Sequence, residues 1–536
     1  MSQIKEGEFT GLRKMLWPIH SFEIKKFLPM GIMMFCILFI YTLLRDTKDA
    51  LLVNAPGAGA ESLAFAKGIG VTFSAILFMI LYTKAANIFK REGLFYVTAV
   101  PFLVFFGLYP YFIYPFVGSI HMSLATVEHY QSVVMGVPII GSILSRIVPL
   151  VGSWTYTLFY ILSELWGSAV LSLLFWQFAN SITPVHQARR FYGMFGFLGN
   201  FGLMFSGPAI ILISGHIHSL GYSRFVETGL MLQSLMALVI VAGAILLTTF
   251  YWVNRNVLTD IRHYNPEEMG EGKKKKAKLS MMESFKYILQ SPYLGMIAML
   301  VLAYGVSINL FECVWKGQIK IAYPSETEYN WIMGILSTLT GSVAVVLMLV
   351  GSNLLRIFSW RTCALITPMI LIVGSITFFG VIQYNNTLLP AGMQITEALK
   401  AGILNRELIV FAVMLGIGIN AFGKAVKYSL FDPTKEMAYI PLDPELKVKG
   451  KAAVDVIGGR GGKSMGSWIQ MGLGAAFPAS LLYQLVPFIA PITIGVVALW
   501  IFSVFGLSKR FKALTEEKEA EAAAPQAAGE PISSPS

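Results

Sequence analysis

Charge is scarce in this chain. Only 13% of its 536 residues are Asp, Glu, Lys or Arg, about half the roughly 25% of an ordinary soluble domain. Cysteine is scarcer. The three present, Cys36, Cys313 and Cys363, lie in or beside apolar runs, with neither metal-ligand spacing nor a disulfide framework. Residues 1–26 are polar and basic, carry Glu6 and Glu8, and lack the apolar core of a secretory signal. No soluble catalytic domain, metal cluster or triad can be read. These absences argue against an enzyme, a metalloprotein and a secreted scaffold, and no cofactor is implied.

What is abundant is apolar surface: 55% of residues are hydrophobic and the mean hydropathy is +0.64. The composition is that of a polytopic, all-α membrane protein. The net charge is +11, yet nucleic acid is a poor explanation, because the basic residues fall between apolar runs as the positive-inside rule requires. Apolar segments lie at about 27–48, up to about 84, 93–116, 150–180, 191–214, 226–251, 291–316, 329–352, 361–383, 405–431, 452–483 and 486–507. Each approaches the ~20 residues that a bilayer demands.

Basic and basic-poor loops alternate. The resulting layout is a cytoplasmic segment 1–26, a six-helix half 27–251, a basic cytoplasmic linker 252–290 containing Lys273 to Lys276, a second six-helix half 291–508, and a disordered cytoplasmic tail 509–536. The link 117–147 reads as a semi-polar connection. Both termini fall on the basic, cytoplasmic side of the membrane, and a monomer is expected.

The halves repeat weakly. Gly68–Asn87 overlies Gly334–Asn353 without a gap, at a shift of 266 positions. One position more lays YTLLRDTKD, from Tyr41, over INLFECVWK and sets Arg45 against Glu312. Gly167-x-Ala169-Val170 falls on Gly423-x-Ala425-Val426, and Phe175 on Phe431. Two six-helix halves in parallel repeat are the mark of a major-facilitator-like architecture, whose ligand site lies near the midplane between the halves.

Interior charges are therefore informative, since one at a helix centre costs roughly 2.5–3.5 kcal/mol and normally faces a cavity or partner. The first helix carries Arg45, Asp46, Lys48 and Asp49, with Tyr41, Arg45 and Lys48 on one face. The fourth carries Glu164, the seventh Glu312 and Lys316, and the tenth Asn420, Lys424 and Lys427 on one face. Helices 2, 3, 6, 8, 9 and 12 read as nearly free of interior charge. The pattern implies a basic cavity with two acidic residues, suited to a multiply charged anion. Plainer alternatives exist: Glu312–Lys316 as an internal i, i+4 pair, and Lys424 and Lys427 snorkelling to the interface.

The run Gly458-Gly-Arg460-Gly-Gly-Lys463-Ser464 looks like a P-loop, but Ile457 stands where the first glycine is needed. No buried strand precedes it either. A glycine-rich opening of a membrane helix can still receive phosphate on its N–H groups beside Lys463.

YTLLRDTKDALLVNAPGAGAE, FYILSELWGSAVLSLLFWQFAN with ARRFYG, NLFECVWK and GGRGGKSMGSWIQ together resemble the nucleotide transporter family of plastids and intracellular bacteria, whose best-known members are ATP/ADP translocases. The resemblance runs in order over about residues 10–510. It implies a twelve-helix carrier exchanging ADP for host ATP, with the family's functional charges falling on Lys48, Glu164, Glu312 and Lys463. ATP, ADP and the lipid bilayer are then the partners, with inorganic phosphate left open as a further ligand. Lys463 is already a candidate from the glycine-rich helix opening, and Arg45, Arg460, Lys316, Lys424 and Lys427 stand beside these as further candidates. An adenine ring would need an aromatic wall, for which Tyr41, Tyr160 and Trp166 are the candidates. Two other readings stay open: proton-driven nucleotide import, and carriage of another organic phosphate such as NAD.

Overall fold

The computed structural model describes residues 17–137, 140–260, 263–264, 291–390, 393, 395–442, 450–451, 454, 461–477 and 482–527. Among them, eleven helices are long and apolar enough to cross a membrane. In chain order these are α1 (Ser21–Val53), α2 (Ala60–Ile88), α3 (Arg91–Ile120), α4 (Trp154–Ile182), α5 (Val185–Ser219), α6 (Arg224–Asn256), α7 (Pro292–Ala322), α8 (Glu326–Ile357), α9 (Trp360–Thr387), α10 (Arg406–Met437) and, after α11, α12 (Val486–Ala527). The expected eleventh helix is described as α11 (Gly461–Ala476), 16 residues long and short of a full span. Of the rest of its expected range, 452–453, 455–460 and 478–481 lie outside the described residues, as do Lys273 to Lys276 of the linker.

The apolar runs dictate these helices. In a bilayer every backbone N–H and C=O must be satisfied within the segment, so a run of this length becomes helical. The first turn shows how one ends. Asn54-Ala-Pro56-Gly57 follows α1, and Gly57 adopts φ +67°, a conformation that a side chain disfavours. A Cβ there would also collide with Val127.

The repeat is visible in the packing. α1 lies against α4, α5 and α6, and α7 lies correspondingly against α10, α11 and α12; α3 packs on α6 as α9 packs on α12. The halves meet through α5 with α8, α1 with α8, and α2 with both α7 and α11. This is the expected two-half, major-facilitator-like arrangement. The α5–α8 seam relies on glycine. A Cβ on Gly207 would strike the backbone of Thr338 and Gly334, and one on Gly341 the backbone of Met204. Without a hydrophobic drive between helices in lipid, such close approach supplies the contact. Outward-facing residues such as Phe73, Leu212 and Phe502 are about 70% exposed, as lipid-facing side chains are.

Two expectations are corrected. The link 117–147 holds two helices, Leu124–Met135 and Gly141–Gly152. The second carries Arg146 near Glu61 of α2, at 3.9 Å, and its Ser142 donates to the carbonyl of Ala475 in α11 at 3.3 Å. Tertiary docking of these short segments had no signature in composition. The tail expected to be disordered continues α12 as far as Ala527, because Ala, Glu and Lys are strong helix formers and Lys512 pairs with Glu516 at 3.7 Å. Residues 528–536 lie outside the described residues.

The face opposite the termini is sealed by polar clamps between the halves. Arg224 at the start of α6 donates to both oxygens of Glu326 at the start of α8, at 2.6 and 2.9 Å, and to the carbonyl of Asn54 at 3.2 Å. Thr327 donates to Glu227 at 3.1 Å. Lys320 reaches the carbonyl of Ala58.

Candidate functional site between the halves

α1, α4, α7 and α10 converge, and their charges join into a single ladder of alternating sign. Glu164 of α4 lies 3.0 Å from Lys48 of α1. Lys48 lies 2.7 Å from Asp49. Asp49 lies 2.8 Å from Lys316 of α7. Lys316 lies 3.8 Å from Glu312, and Glu312 2.6 Å from Lys424 of α10. Six groups on four helices thus run across the molecule, passing from one half to the other at Asp49–Lys316. Buried charges are tolerated only when paired in this way.

The crossing point follows from the repeat. The alignment that sets Arg45 against Glu312 also sets Asp49 against Lys316. Residues at equivalent positions of two repeats meet where the relating axis passes between them. The two halves have placed opposite charges there.

A second group flanks the ladder. Arg45 donates to Asp46 at 2.8 Å and to the hydroxyl of Ser337 in α8 at 2.8 Å, and Ser337 donates to Asp46 at 2.6 Å. Tyr41 is half-buried, its ring centroid 6.0 Å from the Arg45 guanidinium. A Cβ on Gly167 would already lie 2.8 Å from that ring. Lys48 stands 4.0 Å above the ring of Tyr160, a cation–π contact that strengthens once desolvated. Trp166 is fully buried and donates its indole N–H to the carbonyl of Ile37 at 3.4 Å, so it serves packing rather than a ligand wall.

Several expected pairings differ in detail. Glu312 meets Lys424 more closely than Lys316, so the internal i, i+4 pair is secondary, and contact with α1 belongs to Lys316. Lys424 does not snorkel to the interface. Lys427 pairs with Asp432 of its own helix at 2.7 Å, away from the ladder. Lys463 sits in the first turn of α11, its side chain outside the described residues along with Arg460. Glu164, which had no partner within its own sequence neighbourhood, finds one across 116 positions in Lys48.

Sequence reasoning missed Lys67 and Ser337. Lys67 is half-buried in α2 and borders a small recess together with Asn309, Glu312, Lys316 and Gln470. The signal was present: one lysine a few residues into an apolar run. Helix 2 is therefore not free of interior charge. Ser337 left no such mark, since serine is common in membrane helices.

A family model described as the TLC ATP/ADP transporter matches residues 2–511. The chain belongs to that family. It is 44% identical to ADP,ATP carrier protein 1 of Chlamydia pneumoniae, covering 98% of each chain. It is 43% identical to the Rickettsia typhi protein of the same name, covering 96% of this chain and 99% of that one. It is 38% identical to the chloroplastic ADP,ATP carrier protein 1 of Arabidopsis thaliana, covering 94% and 77%. Among solved structures, the inward open conformation of the xylose transporter XylE from E. coli matches at 12% identity and a TM-score of 0.48, covering 90% of this chain and 96% of that one.

Proposed function

We propose that this chain exchanges ATP for ADP across a bacterial inner membrane by alternating access, taking up ATP and returning ADP. Family membership supports the substrate pair. The single observation that carries the mechanism is the charge ladder crossing the halves at Asp49–Lys316.

As the halves rock, the pairs on either side of that crossing must shift. Breaking a buried pair costs roughly 3–5 kcal/mol. A polyphosphate bridging Lys48 of α1, Lys316 of α7 and Lys424 of α10 keeps these lysines partnered while the carboxylates change neighbours. Both ADP and ATP satisfy that need, and an empty site does not. Differential stabilisation of the transition by ligand makes exchange obligatory. Lys463, in the glycine-rich opening of α11, joins these lysines as a further phosphate ligand in this reading. Half-buried Tyr41 is the aromatic group offered to adenine.

ATP carries one more negative charge than ADP, so exchange responds to membrane potential at about 2.3 kcal/mol per charge per 100 mV. The termini and residues 252–290 face the cytoplasm, and thiol labels placed there react only from that side. The deciding experiment is uptake by purified protein in liposomes preloaded with a panel of nucleotides. Uptake of ATP that requires internal ADP or ATP is expected. Uptake driven by a pH gradient without counter-nucleotide would replace exchange with proton coupling. Indifference to adenine nucleotides would assign another organic phosphate.

A further inference from the structure

Counting charges at the site isolates one residue. The ladder of Glu164, Lys48, Asp49, Lys316, Glu312 and Lys424 is neutral as a whole, and so is the Arg45–Asp46 pair. Lys67 is left over. Among the described residues it is the one cation of this site with no carboxylate oxygen within ion-pairing distance, although it feels the charges of Lys316, Glu164, Lys48 and Asp49.

Its surroundings suit an anion. The recess that Lys67 borders is also lined by Lys316, Asn309, Gln470 and Ser467, and by Glu312, whose carboxylate is held by Lys424 at 2.6 Å. Gln470 of α11 donates to the Asn309 side-chain oxygen at 2.9 Å, fixing that amide. As it stands the recess has room for little more than a water, far below the roughly 300–1,000 Å³ of a site for a whole drug-sized ligand, so a terminal phosphoryl group rather than a nucleoside is the part of a ligand that enters it as the halves part. Lys67 also lies in a π-helical turn, Ala66–Val71, a distortion frequent at functional sites. Its counterpart at the 266-position repeat is Met333, fully packed in α8, so the repeat sets no cation at that position of the second half.

We propose that Lys67 receives the phosphoryl group by which ATP exceeds ADP, and so determines the preference between them. Among the described residues, one unpaired cation matches one additional negative charge. Every other described lysine of the site must first be released by a carboxylate. This rests on the exchange reading above, and the test separates the two.

Binding of ATP, ADP, inorganic tripolyphosphate and pyrophosphate is measured calorimetrically on purified full-length protein, with Lys67→Met and Lys67→Arg beside the parent. A hydrogen bond to a charged group is worth about 1.5–3 kcal/mol, so Lys67→Met is expected to weaken ATP and tripolyphosphate about ten- to hundredfold, with ADP and pyrophosphate changed less than about threefold. Lys67→Arg, retaining the charge, keeps the ATP-to-ADP ratio within about threefold. Equal loss for long and short ligands in Lys67→Met, or no loss, overturns the proposal. So does a parent protein that binds neither polyphosphate. A parent that binds tripolyphosphate through Lys67 but no nucleotide overturns the exchange reading and, with it, the ATP-against-ADP role, leaving Lys67 as a polyphosphate contact only.

Discussion

At equivalent positions of the repeat, α1 and α7 carry different chemistry on the same backbone. Lys48 of α1 lies over the Tyr160 ring of α4. Its counterpart Trp315 of α7 lies against Gly416 of α10 and donates to the carbonyl of Val413 at 3.0 Å. Where the first half presents an ammonium held by an aromatic face, the second is bolted by an indole against a glycine. Arg45 answers Glu312, Asp46 answers Cys313, and Asp49 answers Lys316. The two halves share one packing scheme, and the surfaces they turn to each other carry opposite charges at the crossing. The first half concentrates four charges on α1 and adds Glu164 from α4 and Lys67 from α2. The second divides its ladder charges between α7 and α10.

The largest effect is expected at the axis itself. Asp49→Asn leaves Lys316 short of its closest partner, and a broken buried pair costs roughly 3–5 kcal/mol. Liposome exchange should fall at least about a hundredfold. Charge reversal, Asp49→Lys with Lys316→Asp, should recover a measurable part, because the two positions are equivalent. No recovery would mean that the crossing is not a simple pair.

Glu312→Gln tests whether the second half depends on α7–α10 pairing. Exchange should drop about tenfold or more while nucleotide binding is retained. A double-mutant cycle should show strong coupling with Lys424, at 2.6 Å, and weaker coupling with Lys316, at 3.8 Å. The reverse order would restore the internal helix pair as the main role of Glu312.

A smaller effect is expected at the outer clamp. Arg224→Ala strands Glu326, whose side chain is buried, at a cost of about 1–3 kcal/mol. The face opposite the termini should open more often. Cys313 is a native reporter, since its thiol is buried against the carbonyl of Ala60 at 3.4 Å. In a background with Cys36 and Cys363 replaced by serine, an impermeant maleimide added from that face should label it about tenfold faster. An unchanged rate would show that helix packing alone keeps the face shut.

The smallest effect belongs to the end of α12. Lys512–Glu516 is an exposed i, i+4 pair, 79% and 63% accessible, and such pairs contribute about 0.3–0.5 kcal/mol. Ending the chain after Leu514 should leave exchange rates within about twofold.

Much was legible before any coordinates. Apolar runs long enough to cross a bilayer have one backbone solution, so their helices followed from composition. Charges inside such runs are costly enough to mark a site, which is why Lys48, Glu164, Glu312, Lys316 and Lys424 could be selected as residues. Lys67 was passed over because a lone lysine near a helix start also reads as an interfacial residue. The charges at the 5–6 and 7–8 turns, Arg224 and Glu326 among them, read as ordinary loop residues.

Sequence by itself determined the class of protein, most of its helices and which side chains are too expensive to be idle. Helical periodicity is local, and the cost of a buried charge depends on its segment alone. Tertiary structure decided the partners. Whether Glu312 answers Lys316 or Lys424, whether Asp49 reaches across the axis, and whether Lys67 is left unpaired depend on distances between helices far apart in the chain. A few ångströms separate an ion pair from a free charge, and only the packing of all the helices together sets those distances.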